Sequence, residues 1–151
     1  VLVHAAADVG EPAPLTLYDS QAWLKCLHVN INASFLITQA MLGLLKASAG
    51  RVIFVSDEAG REGRAAMGAY GVSKWALEGI MSTLAAEYSA AHPVTSCSVD
   101  PGALQSRLRR QLFTGEMAHE VPSPDGAAAA ITRLFDPASA PVNGGMYRVV
   151  P

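Results

Sequence analysis

The chain has 151 residues, of which 50% are hydrophobic and 16% are charged, a length and composition typical of one globular domain with a well-filled core. Its formal net charge is -2 and it has no basic run, which makes nucleic acids and anionic membrane surfaces poor partners. Cys26 and Cys97 lie in apolar segments and are predicted to be buried thiols in a reducing compartment, so we expect a cytoplasmic protein.

The first segment, Val1 to Val3, is apolar and β-branched and is followed by alanines at 5–7. This predicts a strand of a parallel sheet whose end allows another backbone or a ligand to come close. The N-terminus lacks the pattern of a signal peptide, no apolar run reaches transmembrane length, and Val1 is not methionine. We therefore expect no membrane association and a missing N-terminal segment, which would leave the first strand as an exposed edge.

The rest of the chain alternates between helical and strand patterns. Apolar residues recur at three and four positions from about Ser20, with Asp19 or Ser20 as the N-cap, whereas short β-branched runs precede the polar loops. We expect a helix over 20–46 (or two joined near Asn30), a strand over 52–55, a helix over 66–91, a strand over 94–99, a short basic helix over 104–113, a helix starting at 123–125 with Ser123 as N-cap, and a strand over 145–150.

Strands that alternate with long helices predict an α/β fold with a mostly parallel sheet. In such folds ligands bind outside the carboxyl ends of the strands. Three short segments follow predicted strands directly: the alanines at 5–7, Ser56-Asp57, and Asp100-Pro101-Gly102. The sequence therefore predicts a ligand site built from these segments.

Tyr70 and Lys74 are four residues apart at the start of a predicted helix, so their side chains are expected on one face. An ammonium beside a phenol favours the phenolate, which would lower the tyrosine pKa from its usual value of about 10. The pair therefore suits general acid/base chemistry. The alternative is that both side chains simply lie on a solvated helix surface.

Four motifs combine in order and spacing: H-A-A-A at 4–7, V-N-I-N-A-S-F at 29–35, Y-G-V-S-K at 70–74 and D-P-G at 100–102. With them the chain resembles the classical short-chain dehydrogenase/reductase superfamily. The resemblance implies a Rossmann-type three-layer fold whose N-terminal strands are missing from this chain, so residues 1–151 would be one partial domain. It also implies NAD or NADP as cofactor and hydride transfer to or from a carbonyl or alcohol.

The resemblance also assigns roles to particular residues. Tyr70 corresponds to the catalytic acid/base, Lys74 to the residue that binds the nicotinamide ribose and lowers the tyrosine pKa, and Asn30 to the asparagine at a helix kink that holds a relay water. The remaining positions that correspond to cofactor-contacting loops are Ala6, Ala7, Pro101, Gly102 and Ser106.

One departure from the family concerns the serine that orients the substrate carbonyl, which is expected thirteen residues before the tyrosine. That position is Asp57, and an ionised carboxylate only accepts hydrogen bonds. It is expected to raise the pKa of Tyr70 or to pair with Lys74, although a protonated Asp57 could donate as the serine does. Ser56 is adjacent but is expected to face the other way.

Two further departures concern the cofactor site. Ala5 and Ala7 stand where the family has asparagine and glycine, so strand-bracing hydrogen bonds are lost and a positive φ at Ala7 would be strained. The glycine-rich pyrophosphate motif is absent from this chain. We therefore predict an oxidoreductase whose cofactor site is incomplete here, with a non-catalytic pseudoenzyme or association domain as the alternative because of Asp57.

Several charged or polar groups remain. The four histidines lack the spacing of a metal site, the segment from Glu58 to Arg64 is predicted to be a solvated loop beside the site, and the arginines at 107, 109 and 110 are predicted to form a solvated helix face rather than an anion site. The two long helices, over 20–46 and 66–91, could form the homodimer or homotetramer interface that such helices supply in the family.

Overall fold

Nine regular elements are described over residues 1–88 and 93–149 of the chain, in a computed structural model. The strands are β1 (Leu2–His4), β2 (Arg51–Val55), β3 (Thr95–Asp100) and β4 (Gly145–Arg148). The α-helices are α1 (Ser20–Leu27), α2 (Ala33–Ala47), α3 (Gly68–Glu87), α4 (Arg107–Leu112) and α5 (Asp125–Arg133). A π-helical turn, His28–Asn32, joins α1 to α2, and 3-10 turns cover Leu15–Leu17, Glu58–Gly60, Ala118–Glu120 and Pro137–Ser139.

The four strands form one parallel sheet in the order β1-β2-β3-β4. Strand β1 is therefore at an edge of the described sheet, as predicted. Because successive strand residues face opposite sides, Val52 and Phe54 of β2 pack under α2 and α3, with Leu77 and Met81 of α3. Ile53 faces the other side.

The second face of the sheet is covered by α5. Ile53, Cys97 and Val99 form its buried centre, and Ile131 and Leu134 pack against them. The fold is therefore the predicted α/β fold of three layers, with all four strands parallel. Cys26 and Cys97 are free and fully buried, as predicted. None of the described helices has both the length and the hydropathy that a membrane span requires.

Helix ends follow from local chemistry. The Asp19 carboxylate accepts from the Ala22 amide at 2.8 Å and caps α1, as predicted. Helix α2 ends at Ala47, and Gly50 then packs so closely on Leu45 that a Cβ there would lie 2.8 Å from its side chain. The continuous helix expected over 20–46 is interrupted by the π turn at Asn30, the predicted junction.

Several predicted boundaries were wrong. Helix α3 begins at Gly68 and not 66, because Ala66 has a φ of 62°. Residues 89–91 of that prediction lie outside the described residues, as does residue 150 of the predicted last strand. Helix α4 begins at 107 because Ser106 caps it. Helix α5 has Pro124 at the cap position, not Ser123.

Candidate active site

The carboxyl ends of β1, β2 and β3 bring the predicted site residues to one edge of the sheet. Tyr70 and Lys74 are on the first two turns of α3, Asp57 follows β2, and Asn30 belongs to the π turn. Tyr70, Lys74 and Asn30 are buried. The spacing of Tyr70 and Lys74 places the Lys74 ammonium 5.5 Å from the centre of the Tyr70 ring, so the solvated-surface alternative for this pair is wrong.

Asp57 faces Tyr70. The Tyr70 hydroxyl donates to Asp57 Oδ2 at 3.0 Å, and Asp57 Oδ1 accepts from the Ala59 amide at 2.8 Å, which caps the 3-10 turn that follows. Ser56 is buried, and its hydroxyl has no partner among the described residues. Asp57, and not Ser56, therefore occupies the position next to the phenol, as the strand alternation predicted.

The expected lowering of the Tyr70 pKa was wrong for this chain, because other effects outweigh a neighbouring ammonium. Burial raises the pKa of Tyr70 above its ordinary value of 10.0, and the negative charge of Asp57 and the hydrogen bond to it raise it further. The expectation that Asp57 raises this pKa is confirmed. Tyr70 therefore stays protonated near neutral pH, with its proton directed at Asp57.

Lys74 is held by the end of strand β2. Its ammonium donates to the Val55 carbonyl at 2.8 Å, so the predicted pairing with Asp57 was wrong. Burial lowers the pKa of Lys74 to about 8, and the charge of Asp57 opposes that shift. An ammonium has three donors, and the described residues supply one acceptor, so the other two donors remain available to a ligand.

Asn30 connects three elements through its amide. Its Oδ1 accepts from the Asp8 amide at 2.7 Å, and its Nδ2 donates to the Asp8 carbonyl at 2.8 Å and to Ser73 Oγ at 2.7 Å. Ser73 in turn donates to the Tyr70 carbonyl at 2.7 Å. The π turn, which places Asn30 inward, thus fixes the loop after β1 against the helix that carries the catalytic pair.

The remaining predicted cofactor positions lie around this centre. Pro101 and Gly102 follow β3, and Gly102 has a φ of 74°, a conformation that favours glycine. Ser106 Oγ accepts from the Arg109 amide and is the N-cap of α4. Ala6 and Ala7 follow β1; the strain expected at Ala7 was wrong, because Ala7 does not have a positive φ.

A cavity of about 190 Å³ opens at Asp57. Glu58 and Asp100, which also line it, both pair with Arg148 at 3.6 Å, and Glu58 also pairs with Arg64. Arg109 lines the wall and is bound by both oxygens of Glu116, at 2.5 and 2.6 Å. Asp57 makes no ion pair with any described residue.

The predicted solvated character of two arginines was wrong. Arg61 is only partly exposed: it pairs with the buried Glu78 at 3.2 Å and donates to Ser98 Oγ at 3.1 Å, and so anchors the loop that begins at Asp57. Arg109 likewise turns into the cavity wall. Helix α4, its host, packs Leu108 against the cluster that contains Tyr70.

The sequence reasoning missed Asp8, Ser73 and Arg148. Ser73 is three residues after Tyr70, so helical spacing could have identified it as a neighbour of the site. Arg148 lies inside the predicted strand over 145–150 and ends the observed strand β4, so the rule that ligand sites gather at carboxyl ends could have identified it only with the correct strand end. Asp8 gave no signal, because its contacts with Asn30 involve only its backbone.

Comparison with known proteins fits this geometry. The family model described as short chain dehydrogenase matches residues 1–117. The chain belongs to the short-chain dehydrogenase family. It is 39% identical over 124 residues to the uncharacterized oxidoreductase YciK of Escherichia coli K12, covering 82% of this chain and 48% of that protein. The chain spans about half the length of the curated relatives it matches.

Solved structures of the short-chain dehydrogenase family have the same fold. A putative short chain dehydrogenase from Pseudomonas syringae superposes with a TM-score of 0.93 at 38% identity, over 97% of this chain and 60% of that one. A putative short chain dehydrogenase from E. coli CFT073, complexed with NADPH, has a TM-score of 0.92 at 33% identity, over 99% and 62% of the two chains. The Rossmann-type fold expected from the sequence motifs is thereby confirmed.

Proposed function

We propose that this chain is part of an NAD(P)-dependent oxidoreductase that transfers hydride between a nicotinamide and a carbonyl or alcohol of a small molecule. The observation that carries the proposal is the convergence of Tyr70, Lys74 and Asn30 at the carboxyl edge of a parallel sheet. Family membership and the NADPH and NADP complexes of similar structures support the cofactor class. The choice between NAD and NADP stays open.

The residues of this chain fit the nicotinamide end of such a cofactor. Lys74 has two donors without acceptors among the described residues, which suits ribose hydroxyls. Gly102 lines the cavity at Asp57 and has no side chain to occupy it. Pro101, Ala6 and Ala7 border the same edge. The bound nicotinamide would supply or accept the hydride.

The roles that we propose for this chain's side chains concern the proton and the substrate. The Tyr70 hydroxyl is the proton donor that reaches Asp57 in the cavity lining, and Asn30 holds its helix in place through Ser73. Asp57 fixes the direction of the Tyr70 proton. Since Tyr70 is protonated at neutral pH, its resting form suits reduction, which consumes a proton, better than oxidation.

A second candidate is a non-catalytic pseudoenzyme or association domain. The hydrogen bond from Tyr70 to Asp57 favours it, because a carboxylate that holds the phenol proton removes the acid/base from the substrate. In this case the chain keeps the fold and an association surface. The exposed apolar side chains on α2 and α3 that could supply this surface are Phe35, Leu36, Ile37, Met41, Leu44, Val72 and Trp75.

Activity measurements on the full-length protein separate the two candidates. Under the enzyme proposal, Tyr70→Phe lowers the rate of carbonyl-dependent NAD(P)H oxidation by roughly a hundredfold or more. If the folded parent protein turns over no member of a broad panel of carbonyls and alcohols, the pseudoenzyme is favoured instead. The matched control is Tyr88→Phe, at a tyrosine whose ring contacts Lys46 at the far end of α3.

Three further proposals concern context. We propose that residues 1–151 are part of one Rossmann-type domain, because the described strands form one sheet, and that the protein works in the cytoplasm, because Cys26 and Cys97 are free thiols. We also propose a homodimer or homotetramer through α2 and α3. Light scattering on the full-length protein tests it: Phe35→Glu should yield monomers, and an unchanged mass would contradict it.

A further inference from the structure

The feature that distinguishes this site is an unpaired carboxylate at its centre. Of the three carboxylates that line the 190 Å³ cavity, Glu58 and Asp100 are in ion pairs, and Asp57 makes none with the described residues. The three arginines that line the cavity are bound to other carboxylates: Arg109 to Glu116, Arg64 to Glu58, and Arg148 to Glu58 and Asp100. Lys74, which is not part of the cavity lining, donates to the Val55 carbonyl.

Asp57 has free accepting capacity toward the cavity. A carboxylate offers about four lone-pair sites, and the described residues use two, through the Ala59 amide at 2.8 Å and the Tyr70 hydroxyl at 3.0 Å. Both contacts also fix the carboxylate in place. A carbonyl oxygen approaching this group would meet a second acceptor and be repelled, whereas a protonated nitrogen would gain a charge-assisted hydrogen bond.

The geometry points to a substrate whose reacting group is a protonated imine, C=N–H⁺, with Asp57 as the group that binds and orients the nitrogen. This inference rests on the proposed oxidoreductase function and specifies its substrate class. The corresponding product is an amine, so secondary ammonium ions should bind in the same cavity.

The chemistry balances without proton transfer from Tyr70. A C–H bond forms between the iminium carbon and the hydride of the reduced nicotinamide dinucleotide, and the π electrons of C=N become the nitrogen lone pair. The iminium ion is reduced to a neutral amine and the dinucleotide is oxidised. Asp57 stabilises the positive charge of the substrate before this step, and Tyr70 keeps the carboxylate oriented by donating to it.

Two matched pairs of small molecules test the inference on the full-length protein. Binding is measured by calorimetry with 2-methylpyrrolidine, a secondary ammonium ion at neutral pH, and with 2-methylcyclopentanol, its neutral counterpart of the same ring size. We expect the ammonium ion to bind at least about tenfold more tightly, the ratio that one charge-assisted hydrogen bond supplies. Turnover is compared for 2-methyl-1-pyrroline and 2-methylcyclopentanone.

The controls are Asp57→Asn and Asp57→Ser. Both retain a side-chain oxygen that can cap the Ala59 amide, and thermal unfolding checks that they fold. The preference for the ammonium ion should disappear in both variants, and Asp57→Ser should gain activity on the ketone relative to the imine.

Equal binding of the two ligands, no binding of either, or a preference that survives both substitutions overturns the inference. Other results would contradict the proposed oxidoreductase function and not only the imine inference. If the protein binds neither NADH nor NADPH and reduces neither substrate, the oxidoreductase proposal is wrong; if it reduces the ketone without preferring the ammonium ion, that proposal stands and only the imine inference fails.

Discussion

Replacing Asn30 by alanine should destabilise the protein strongly, because the Asn30 amide is the link between the loop after β1 and helix α3. The substitution removes three hydrogen bonds of 2.7 to 2.8 Å, two to the Asp8 backbone and one to Ser73. A neutral hydrogen bond contributes about 0.5–1.5 kcal/mol net. Water can reach part of the Asp8 backbone, so we expect a loss of about 2–4 kcal/mol, a large fraction of the stability of an ordinary domain.

Urea unfolding of the full-length protein measures this loss. With a slope of about 2 kcal/mol per molar urea, the midpoint should fall by about 1–2 M. The matched control is Asn32→Ala, two residues along the same π turn, where the exposed side chain only contacts His28 at 3.5 Å. Both substitutions change helix propensity equally, and the control should alter stability by less than about 0.5 kcal/mol.

The comparison between Asn30 and Asn32 decides the reasoning. If Asn30→Ala costs less than about 1 kcal/mol more than Asn32→Ala, the amide network is not what holds the two elements together. The packing of the loop after β1 on Cys26 and Tyr70 would then be the larger contribution to their association.

Three further predictions follow from close contacts and burial. A Cβ at Gly60 would lie 2.9 Å from the backbone of helix α3, so Gly60→Ala should lower the free energy of unfolding in urea by about 1–3 kcal/mol. Gly63 has open space around it, so Gly63→Ala should change this free energy little. Equal effects of the two substitutions would contradict the close contact at Gly60. Arg61→Ala leaves the buried carboxylate of Glu78 on α3 unpaired and should lower the free energy of unfolding by about 3 kcal/mol. The substitution of the more exposed Arg64 by alanine should lower it by less than about 1 kcal/mol. Burial lowers the pKa of His4 below 6.5, so the contribution of neutral His4 to stability is complete above about pH 6.5 and is lost as the pH falls through the lowered value. In denaturation measured from pH 7.5 to 5.5, a His4→Gln variant should therefore lose stability less steeply with falling pH than the parent protein. The same pH dependence in both proteins would contradict this role of His4.

The architecture was predictable from the sequence because strand and helix patterns differ in period. The run from Val52 to Val55 is apolar on both faces, and it became a strand buried between α3 and α5. Helical spacing brought Tyr70 and Lys74 together, and carboxyl-end placement pointed to the loops around them, because both follow from chain geometry. Asn30 was identified as a site residue only by the resemblance to the family.

The electrostatics of the site could be predicted only in part: the sequence indicated that Asp57 would raise the Tyr70 pKa, but not the larger effect of burial. The sequence spacing correctly placed Lys74 near Tyr70, but the phenol pKa depends on burial and on Asp57, which the fold brings within 3.0 Å. Arg61 belongs to a charged run that suggested solvent, and only the packing of α3, β3 and β4 reveals its buried partners. Long-range contacts of this kind leave no local pattern.

The ionisation of Tyr70 tests most directly the claim that Asp57 controls the acid/base group of this site. Carbon-13 labelling of the tyrosine ring allows the ionised fraction of Tyr70 to be followed by NMR in the full-length protein and in Asp57→Asn, with Tyr70→Phe to assign the signal. We predict that Tyr70 in the parent protein stays protonated beyond pH 10 and that its pKa falls when Asp57 is neutralised. A Tyr70 that ionises below pH 10 in the parent, or one whose titration is the same in both proteins, would contradict the account.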